Sequence, residues 1–313
     1  MPDIIIAFFA LGLLAGLLKS DLKVPQSVYQ TLTILLMLVL GLEGGVALHG
    51  KFEFSMLPSL AGVAVAGFLI PLLCYPILRR AIGLNPANAA SIAAHYGSVS
   101  AGTFAVALTM AKAGGLTLKP ETTLYLVMLE LPAIISAICL YNKLSGSTQG
   151  QGSGTILREA LTSSSVLLLG GGVVIGYLYG PLGLGPLEPV LLNGYKSMLA
   201  LFLLEMGLCT AKACSPLPWQ HARLMLFAAV APFALAGLGI AIAIALNLPA
   251  GSAFVLTCLI ASASYIAAPA AIQTAIPQAD IGLAMLAALG ITFPINIFIG
   301  LPMYMQWVRH FIH

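Results

Sequence analysis

The sequence predicts an all-α membrane protein whose chain crosses the bilayer about ten times. Of the 313 residues, 60% are hydrophobic and 7% are charged, whereas an ordinary soluble domain is about 25% charged. A membrane-spanning helix needs roughly 20 apolar residues, each adding about 1.5 Å of length. A chain of this length therefore has room for about ten spans and for no separate globular domain.

Polar and helix-breaking residues divide the chain into ten apolar segments. These lie near residues 3–18, 27–42, 57–78, 88–111, 122–142, 157–179, 195–210, 223–246, 251–274 and 281–307. The first begins at Asp3 without a basic stretch or a small-residue cleavage pattern, so we expect a retained span rather than a signal peptide. Residues 145–154 are made of Ser, Gly, Gln and Thr, the composition of a flexible linker. This linker separates a first unit, 1–144, from a second, 155–313.

Basic residues predict the orientation of the spans. If the spans alternate sides, eight of the 13 Lys and Arg residues, among them Arg79, Arg80 and Arg223, fall on the side of the linker. Cytoplasmic loops carry the excess of Lys and Arg. The linker is therefore predicted to be cytoplasmic and both termini to lie outside the cytoplasm.

An internal repeat predicts how the spans are arranged. The segment LLMLVLGL at 35–42 resembles LFLLEMGL at 201–208, an offset that also places Ser98 on Ser264 and Glu130 on Asn296. A repeat of five spans ends on the opposite side from where it began, so the second copy must be inverted. A 5+5 inverted repeat is the plan of many secondary transporters.

Two matching spans contain interruptions. The fourth segment holds His95-Tyr-Gly-Ser-Val-Ser-Ala-Gly-Thr103, and the ninth holds Ser262-Ala-Ser-Tyr-Ile-Ala-Ala-Pro269. Unwound backbone at membrane depth is tolerated where protein buries it or where it lines a watery cavity. The pair predicts a binding site between the repeats. The substrate-binding candidates are the hydroxyl residues Ser98, Ser100, Thr103, Ser262 and Ser264. The alternative for each is close helix packing, with the hydroxyl bonded to its own helix.

The interruptions also indicate the ligand. A broken span exposes the N-terminus of its second half-helix, which binds a small anion without Lys or Arg, and neither break contains a basic residue. Carbonyl and hydroxyl oxygens suit a hard cation such as sodium. No cofactor and no transition metal are expected.

Acidic residues in apolar segments are functional candidates because a carboxylate there is costly. Glu130, deep in the fifth segment, and its repeat partner Asn296 are predicted to couple a cation, together with Ser264. For Glu43 the structural reading is an interfacial residue, and for Glu205 it is a pair with Lys196 or Lys212.

Other candidate residues have two readings each. His95 is either a proton relay or a neutral packing residue. Tyr265 and Tyr96 are either pocket walls or interface aromatics.

Several functional classes find little support. The charge of +3 and the absence of a basic run argue against a nucleic-acid partner. The five scattered cysteines predict neither disulfides nor a metal site. An intramembrane enzyme using His95 and Glu130 lacks the H-E-x-x-H and G-x-S-x-G motifs. A channel is less favoured, because inverted repeats suit alternating access.

These motifs resemble the sodium-dependent bicarbonate transporter family over nearly the full chain. The matches are Gly97-Ser-Val-Ser-Ala-Gly-Thr103, Glu130-Leu-Pro-Ala133 where the family often has Asp-Ile-Pro-Ala, the stretch from Ser262 to Pro277, and Leu289-Gly-Ile-Thr-Phe-Pro294. One departure is Tyr265, which stands where the family has an Asp.

The resemblance implies a bacterial plasma-membrane protein, a homotrimer of ten-span protomers that imports bicarbonate with sodium by an elevator-type shift. It places Ser98, Ser100 and Thr103 in one half of the site and Ser262 and Ser264 in the other. It also implies a PII-type regulatory partner, for which the short linker offers little surface. Tyr265 leaves open proton coupling or a different small anion, such as a carboxylate.

Overall fold

The computed structural model describes residues 4–145, 162, 164–215 and 219–312, and every regular element within these ranges is helical. The predicted linker, apart from Ser145, lies outside the described residues. The all-α prediction is thus confirmed for the described part of the chain.

Twelve helices are numbered here in chain order for the described residues. They are α1 (Ile4–Leu17), α2 (Gln26–Leu48), α3 (Leu57–Pro76), α4 (Pro86–Gly97), α5 (Ala101–Ala113), α6 (Tyr125–Ser145), α7 (Ser164–Leu184), α8 (Tyr195–Ala213), α9 (Ala222–Ala245), α10 (Ala250–Ile260), α11 (Ala267–Ala275) and α12 (Ile281–Phe311). A wider helical turn, Ile77–Ala81, extends α3.

Length and composition identify a multi-pass membrane protein. Within the described ranges, six helical stretches are long and apolar enough to cross a bilayer: Gln26–Leu48, Phe54–Ala81, Pro120–Leu144, Val166–Ala213, Trp219–Ala245 and Ile281–Phe311. The number differs from the predicted ten because Val166–Ala213 contains both α7 and α8. In addition, α1, α4, α5, α10 and α11 are each shorter than the roughly 20 residues that a full span needs.

Four helices, α1, α2, α7 and α8, form what we call the four-helix unit, in which α2 packs along α7 and α1 along α8. Glycines let these backbones approach closely. A Cβ added at Gly41 would lie 2.4 Å from the carbonyl oxygen of Leu169, and one at Gly176 would lie 2.3 Å from that of Leu42. Small residues spaced four apart are a common basis of helix association in membranes.

The other eight helices form the eight-helix unit, which contains both predicted interruptions. Here α3 packs on α4 and α6, α9 packs on α10 and α12, and α5 packs on α10. The helices are held by buried aliphatic and aromatic side chains, among them Phe104, Phe254 and Tyr304. This unit carries the fourth, fifth, ninth and tenth predicted segments, where most of the candidate site residues lie.

The two units meet along a boundary with several polar contacts. The Lys112 ammonium of α5 lies 2.7 Å from the Glu43 carboxylate of α2, so Glu43 forms an ion pair rather than simply reaching the interface as predicted. The Thr210 hydroxyl of α8 donates to the carbonyl of Leu289 in α12, at 3.1 Å. These contacts join residues far apart in the chain.

The close contact of α2 with α7 should depend on glycine at specific positions. Replacing Gly176 with Ala should lower the free energy of unfolding by about 1–3 kcal/mol, because the new methyl group overlaps backbone atoms of α2. The matched control is Gly171→Ala on the same helix, where an added Cβ meets nothing within 4 Å. Thermal unfolding in detergent measures both, and equal melting temperatures for the two variants would contradict this packing.

Candidate functional site

The first interruption separates α4 from α5 at Ser98–Ser100, where the backbone is extended. Helix α4 ends at Gly97, and Ser100 caps the new helix because its side-chain oxygen accepts from the Thr103 N–H at 3.0 Å. Serine is among the strongest N-capping residues. The predicted break in the fourth segment is thus present, and the side chain of Ser100 bonds to the backbone of the helix that follows it.

The second interruption separates α10 from α11 at residues 261–266. The Ser262 hydroxyl donates to the carbonyl of Leu259 at 2.7 Å, which holds the end of α10. The Ser264 hydroxyl accepts from the Ala268 N–H at 3.2 Å, in the first turn of α11. Each predicted serine of this segment therefore bonds to one of the two half-helices.

The two interruptions contact each other directly. The backbone N–H of Ser264 donates to the carbonyls of both His95 and Ser98, at 2.7 and 2.8 Å. The backbone N–H of Ser100 donates to the Ser262 hydroxyl at 2.9 Å. Four of the five predicted substrate-binding residues therefore belong to one network, which we call the crossing. All four are buried.

Asn296 connects α12 to the crossing. Its side-chain amide donates to the carbonyl of Ala261 at 2.7 Å, and its side-chain oxygen accepts from the Tyr304 hydroxyl at 2.9 Å. Asn296 is fully buried. Two polar contacts thus fix the side chain of this predicted coupling residue at the second interruption.

Glu130, the other predicted coupling residue, is 3% exposed in α6. One turn further along the helix, Ala133 packs against Gly97, the last residue of α4, where an added Cβ would meet it at 2.7 Å. Residues three apart lie on the same face of a helix. Glu130 therefore lies on the face of α6 that packs beside the first interruption.

Several buried polar atoms near the interruptions have no hydrogen-bond partner among the described residues: His95 Nε2, Ser98 Oγ, Thr103 Oγ1 and Glu130 Oε1. Native proteins satisfy the large majority of such atoms with protein, water or ions. This concentration of unsatisfied donors and acceptors is typical of a site that binds a polar ligand. The oxygen atoms among them are also the ligand type that sodium prefers.

Tyr265 lies inside the second interruption and is almost completely buried. Its ring packs edge-on against Phe293 at a centroid distance of 5.2 Å. Its hydroxyl lies against Gly102 in the first turn of α5, where an added Cβ would be 2.3 Å away. The tyrosine is thus a wall of the crossing, and its hydroxyl points to the half-helix N-terminus.

The four-helix unit provides a wall of the site that sequence analysis missed. A small pocket at the boundary is lined by Thr33, Met37 and Phe202 from α2 and α8, and by Ala101, Gly102 and Ile266 beside the crossing. Tyr29 stacks on Phe202 at 5.8 Å and 15°. No local motif marks these residues, because their position depends on how the two units pack.

Glu205 of α8 does not form its predicted ion pair. Neither Lys196 nor Lys212 lies within 4.0 Å of it in the described part of the chain, because its side chain is turned into the protein, where it is 6% exposed. It accepts from the Cys209 thiol at 3.3 Å, and its other oxygen has no partner in the described ranges. It is a second buried carboxylate, three residues along α8 from Phe202.

Comparison with known families gives a match over almost the whole chain. The family model described as the Na+-dependent bicarbonate transporter superfamily matches residues 4–309. A comparison with curated proteins finds no match. The matched range includes both interruptions, Glu130 and Asn296.

The hydrogen bond between the interruptions should contribute measurably to stability. Replacing Ser262 with Ala leaves the Ser100 N–H without its acceptor, so we expect unfolding to become easier by about 1–3 kcal/mol. Ser136→Ala is the matched control, because this buried hydroxyl donates only to a carbonyl of its own helix, that of Ala133. Thermal unfolding in detergent compares the two variants. A loss no greater than that of the control would contradict the structural role of Ser262.

Proposed function

Since the chain belongs to the Na+-dependent bicarbonate transporter superfamily, we propose that it is a secondary active transporter that imports bicarbonate together with sodium. The observation that carries the proposal is the crossing, where two interrupted helices meet in buried, incompletely satisfied polar groups. Membership of a transporter family and the absence of catalytic motifs from the sequence favour transport over an intramembrane enzyme.

The proposed architecture is a 5+5 inverted repeat, with repeats at 1–144 and 155–313, joined by a cytoplasmic linker at 145–154. Each interrupted pair, α4 with α5 and α10 with α11, counts as one broken span. The contacts support this plan, because exchanging the repeats turns the most extensive observed helix pairs into other observed pairs. In this exchange α1 corresponds to α7, α2 to α8, α3 to α9, α4 to α10 and α6 to α12. The contact of α1 with α8 then matches that of α7 with α2, the contact of α3 with α6 matches that of α9 with α12, and the contact of α3 with α4 matches that of α9 with α10.

The proposed substrate site uses the half-helix N-termini. An α-helix leaves its first N–H groups without intrahelical partners, which attracts a small anion. At the start of α5 these groups belong to Ala101 and Gly102, next to Ser98 and Thr103, whose hydroxyls are unsatisfied. Bicarbonate both accepts and donates hydrogen bonds, so serine and threonine hydroxyls suit it as well as backbone N–H groups do.

The proposed sodium site uses oxygen atoms on the other side of the same crossing. Glu130 supplies the negative charge, and the hydroxyl of Ser264 and the carbonyls at the ends of α4 and α10 supply neutral ligands. Asn296 holds the second interruption in place through the Ala261 carbonyl. In this proposal His95 is a packing residue, since its Nδ1–H donates to the carbonyl of Ser91.

Coupling to a cation follows from energetics. A negative interior opposes the entry of one anionic charge by about 2.3 kcal/mol per 100 mV. One sodium ion cancels that charge, and each tenfold sodium gradient then contributes about 1.4 kcal/mol toward concentrating the substrate. Import of bicarbonate against its gradient therefore requires at least one accompanying cation.

Alternating access is proposed to occur by an elevator-type shift of the eight-helix unit against the four-helix unit. The glycine contacts make the four-helix unit a tightly packed scaffold, and the proposed substrate site belongs to the other unit, beside the boundary pocket. We place the protein in a bacterial plasma membrane as a homotrimer with both termini outside the cytoplasm. A PII-type regulator would have to act through the linker.

A second candidate function is transport of another small anion, such as a carboxylate, with proton coupling. It is favoured by Tyr265, whose neutral hydroxyl lies at the N-terminus of α5 in place of the carboxylate that its family resemblance leads us to expect. A crossing with one carboxylate fewer attracts a cation less strongly.

Uptake into proteoliposomes tests the two candidates. Labelled bicarbonate should accumulate when sodium is high outside, at fixed membrane potential and without a proton gradient. Accumulation driven by a proton gradient alone, or the absence of bicarbonate uptake by folded protein, would favour the second candidate. A conductance that needs no gradient of a second ion would indicate a channel.

Glu130 should be essential for coupling. Glu130→Gln removes the proposed charged ligand, and we expect sodium-driven accumulation to fall by at least tenfold, as about 1.4 kcal/mol or more of cation binding is lost. The control is Glu188→Gln, an exposed carboxylate outside the crossing, which should transport normally. If Glu130→Gln kept the sodium dependence of the wild type, Glu130 would not be the coupling residue.

A further inference from the structure

A groove of about 600 Å³ runs between the end of α3 and the first half of α9. Its walls are apolar and face away from the protein core. The wall residues Leu73, Ile77, Leu226 and Val230 are between 47% and 66% exposed. Arg223 is the charged residue of its lining. The groove is separate from the crossing and shares no lining residue with the boundary pocket.

The dimensions of the groove match one leaflet of a bilayer. Arg223 lies in the first turn of α9, at the start of the predicted eighth span, and Leu235 is the last residue along α9 that lines the groove. At 1.5 Å per residue these two positions are about 18 Å apart. The hydrocarbon layer of one leaflet is about 15 Å thick, half of the roughly 30 Å core. The groove thus has its charged group at the headgroup level and its apolar walls at acyl-chain depth.

Positive charge is concentrated at the same end of α3. The wider turn that closes α3 places Ile77 and Ala81 in the groove and Arg79 and Arg80 in a neighbouring groove beside α6. The Arg79 guanidinium donates to the carbonyl of Leu84. Within the described ranges, none of these arginines, nor Arg223, has a carboxylate within 4.0 Å.

We propose that this groove is a binding site for an anionic glycerophospholipid, with the phosphate against the Arg223 guanidinium and an acyl chain along the apolar walls. Arginine matches phosphate in a two-pronged geometry. Arg79 and Arg80 favour a headgroup of net negative charge over a zwitterionic one. A second copy of the chain would suit the site poorly, because it would bury Arg223 without a partner for its charge.

Lipid retention by the purified full chain tests this site. The probes are phosphatidylglycerol and phosphatidylcholine with identical oleoyl chains, added to the detergent-solubilised protein and counted by native mass spectrometry. The wild type should retain phosphatidylglycerol preferentially. Arg223→Gln should reduce that preference about fivefold, the effect of one basic residue at an anionic headgroup. Val230→Trp should reduce retention of both lipids, because the indole fills the groove.

Lys143→Gln is the matched control, because Lys143 is an exposed cation near the end of α6 that does not line the groove. It should keep the wild-type preference. The proposal is overturned if Arg223→Gln retains the preference, or if Lys143→Gln loses it to the same extent, since the attraction would then belong to the surface as a whole. Crosslinking of Val230→Cys to a second copy, with no lipid retained, would also overturn it. Circular dichroism confirms that each variant is folded.

Discussion

Backbone N–H and C=O groups at membrane depth find no water to bond with, and each one left without a partner costs several kcal/mol. The crossing meets this requirement by pairing two unwound segments with each other. The N–H of Ser264 bonds to two carbonyls at the end of α4, and the N–H of Ser100 bonds to the Ser262 hydroxyl. This contact therefore holds the end of α4 and the start of α5 against the second interruption.

The same pairing explains why the site can be polar without a buried basic residue. The ends of the half-helices provide partial charges at positions that the fold sets. Serine and threonine hydroxyls add further hydrogen-bonding groups beside these ends. Asn296 fixes one side of the crossing through a backbone carbonyl, whereas Glu130 contributes a carboxylate oxygen without a partner in the described structure. Polar groups that already have hydrogen-bond partners stabilise the crossing, and polar groups without partners are available to a ligand.

The contacts inside the four-helix unit differ from those across the boundary between the two units, and the difference bears on the proposed elevator-type shift. In the four-helix unit, glycines bring backbones into direct contact, which leaves little freedom for sliding. Across the boundary, the contacts include a partly exposed ion pair between Lys112 and Glu43 and a single hydroxyl bond from Thr210. Exposed ion pairs contribute little to stability. Aromatic contacts also cross the boundary, such as that of Phe9 with Phe293 at 5.4 Å, so the proposed elevator-type shift would have to break apolar as well as polar contacts.

Sequence by itself determined the membrane class, the helical architecture and the two interruptions, because composition and helix-breaking residues act locally along the chain. It also identified Ser98, Ser100, Ser262 and Ser264 as polar residues of these interruptions, since paired polar breaks are rare in apolar segments.

The tertiary structure alone decided that the two interruptions bond to each other and that Glu43 pairs with Lys112. It also decided that Glu205 faces the interior, without a basic partner within 4.0 Å in the described residues. It also placed Phe202 in the lining of the boundary pocket beside the crossing, with Tyr29 stacked on it. Each of these depends on the approach of helices distant in sequence, and side-chain periodicity carries no information about which distant helix a face will meet.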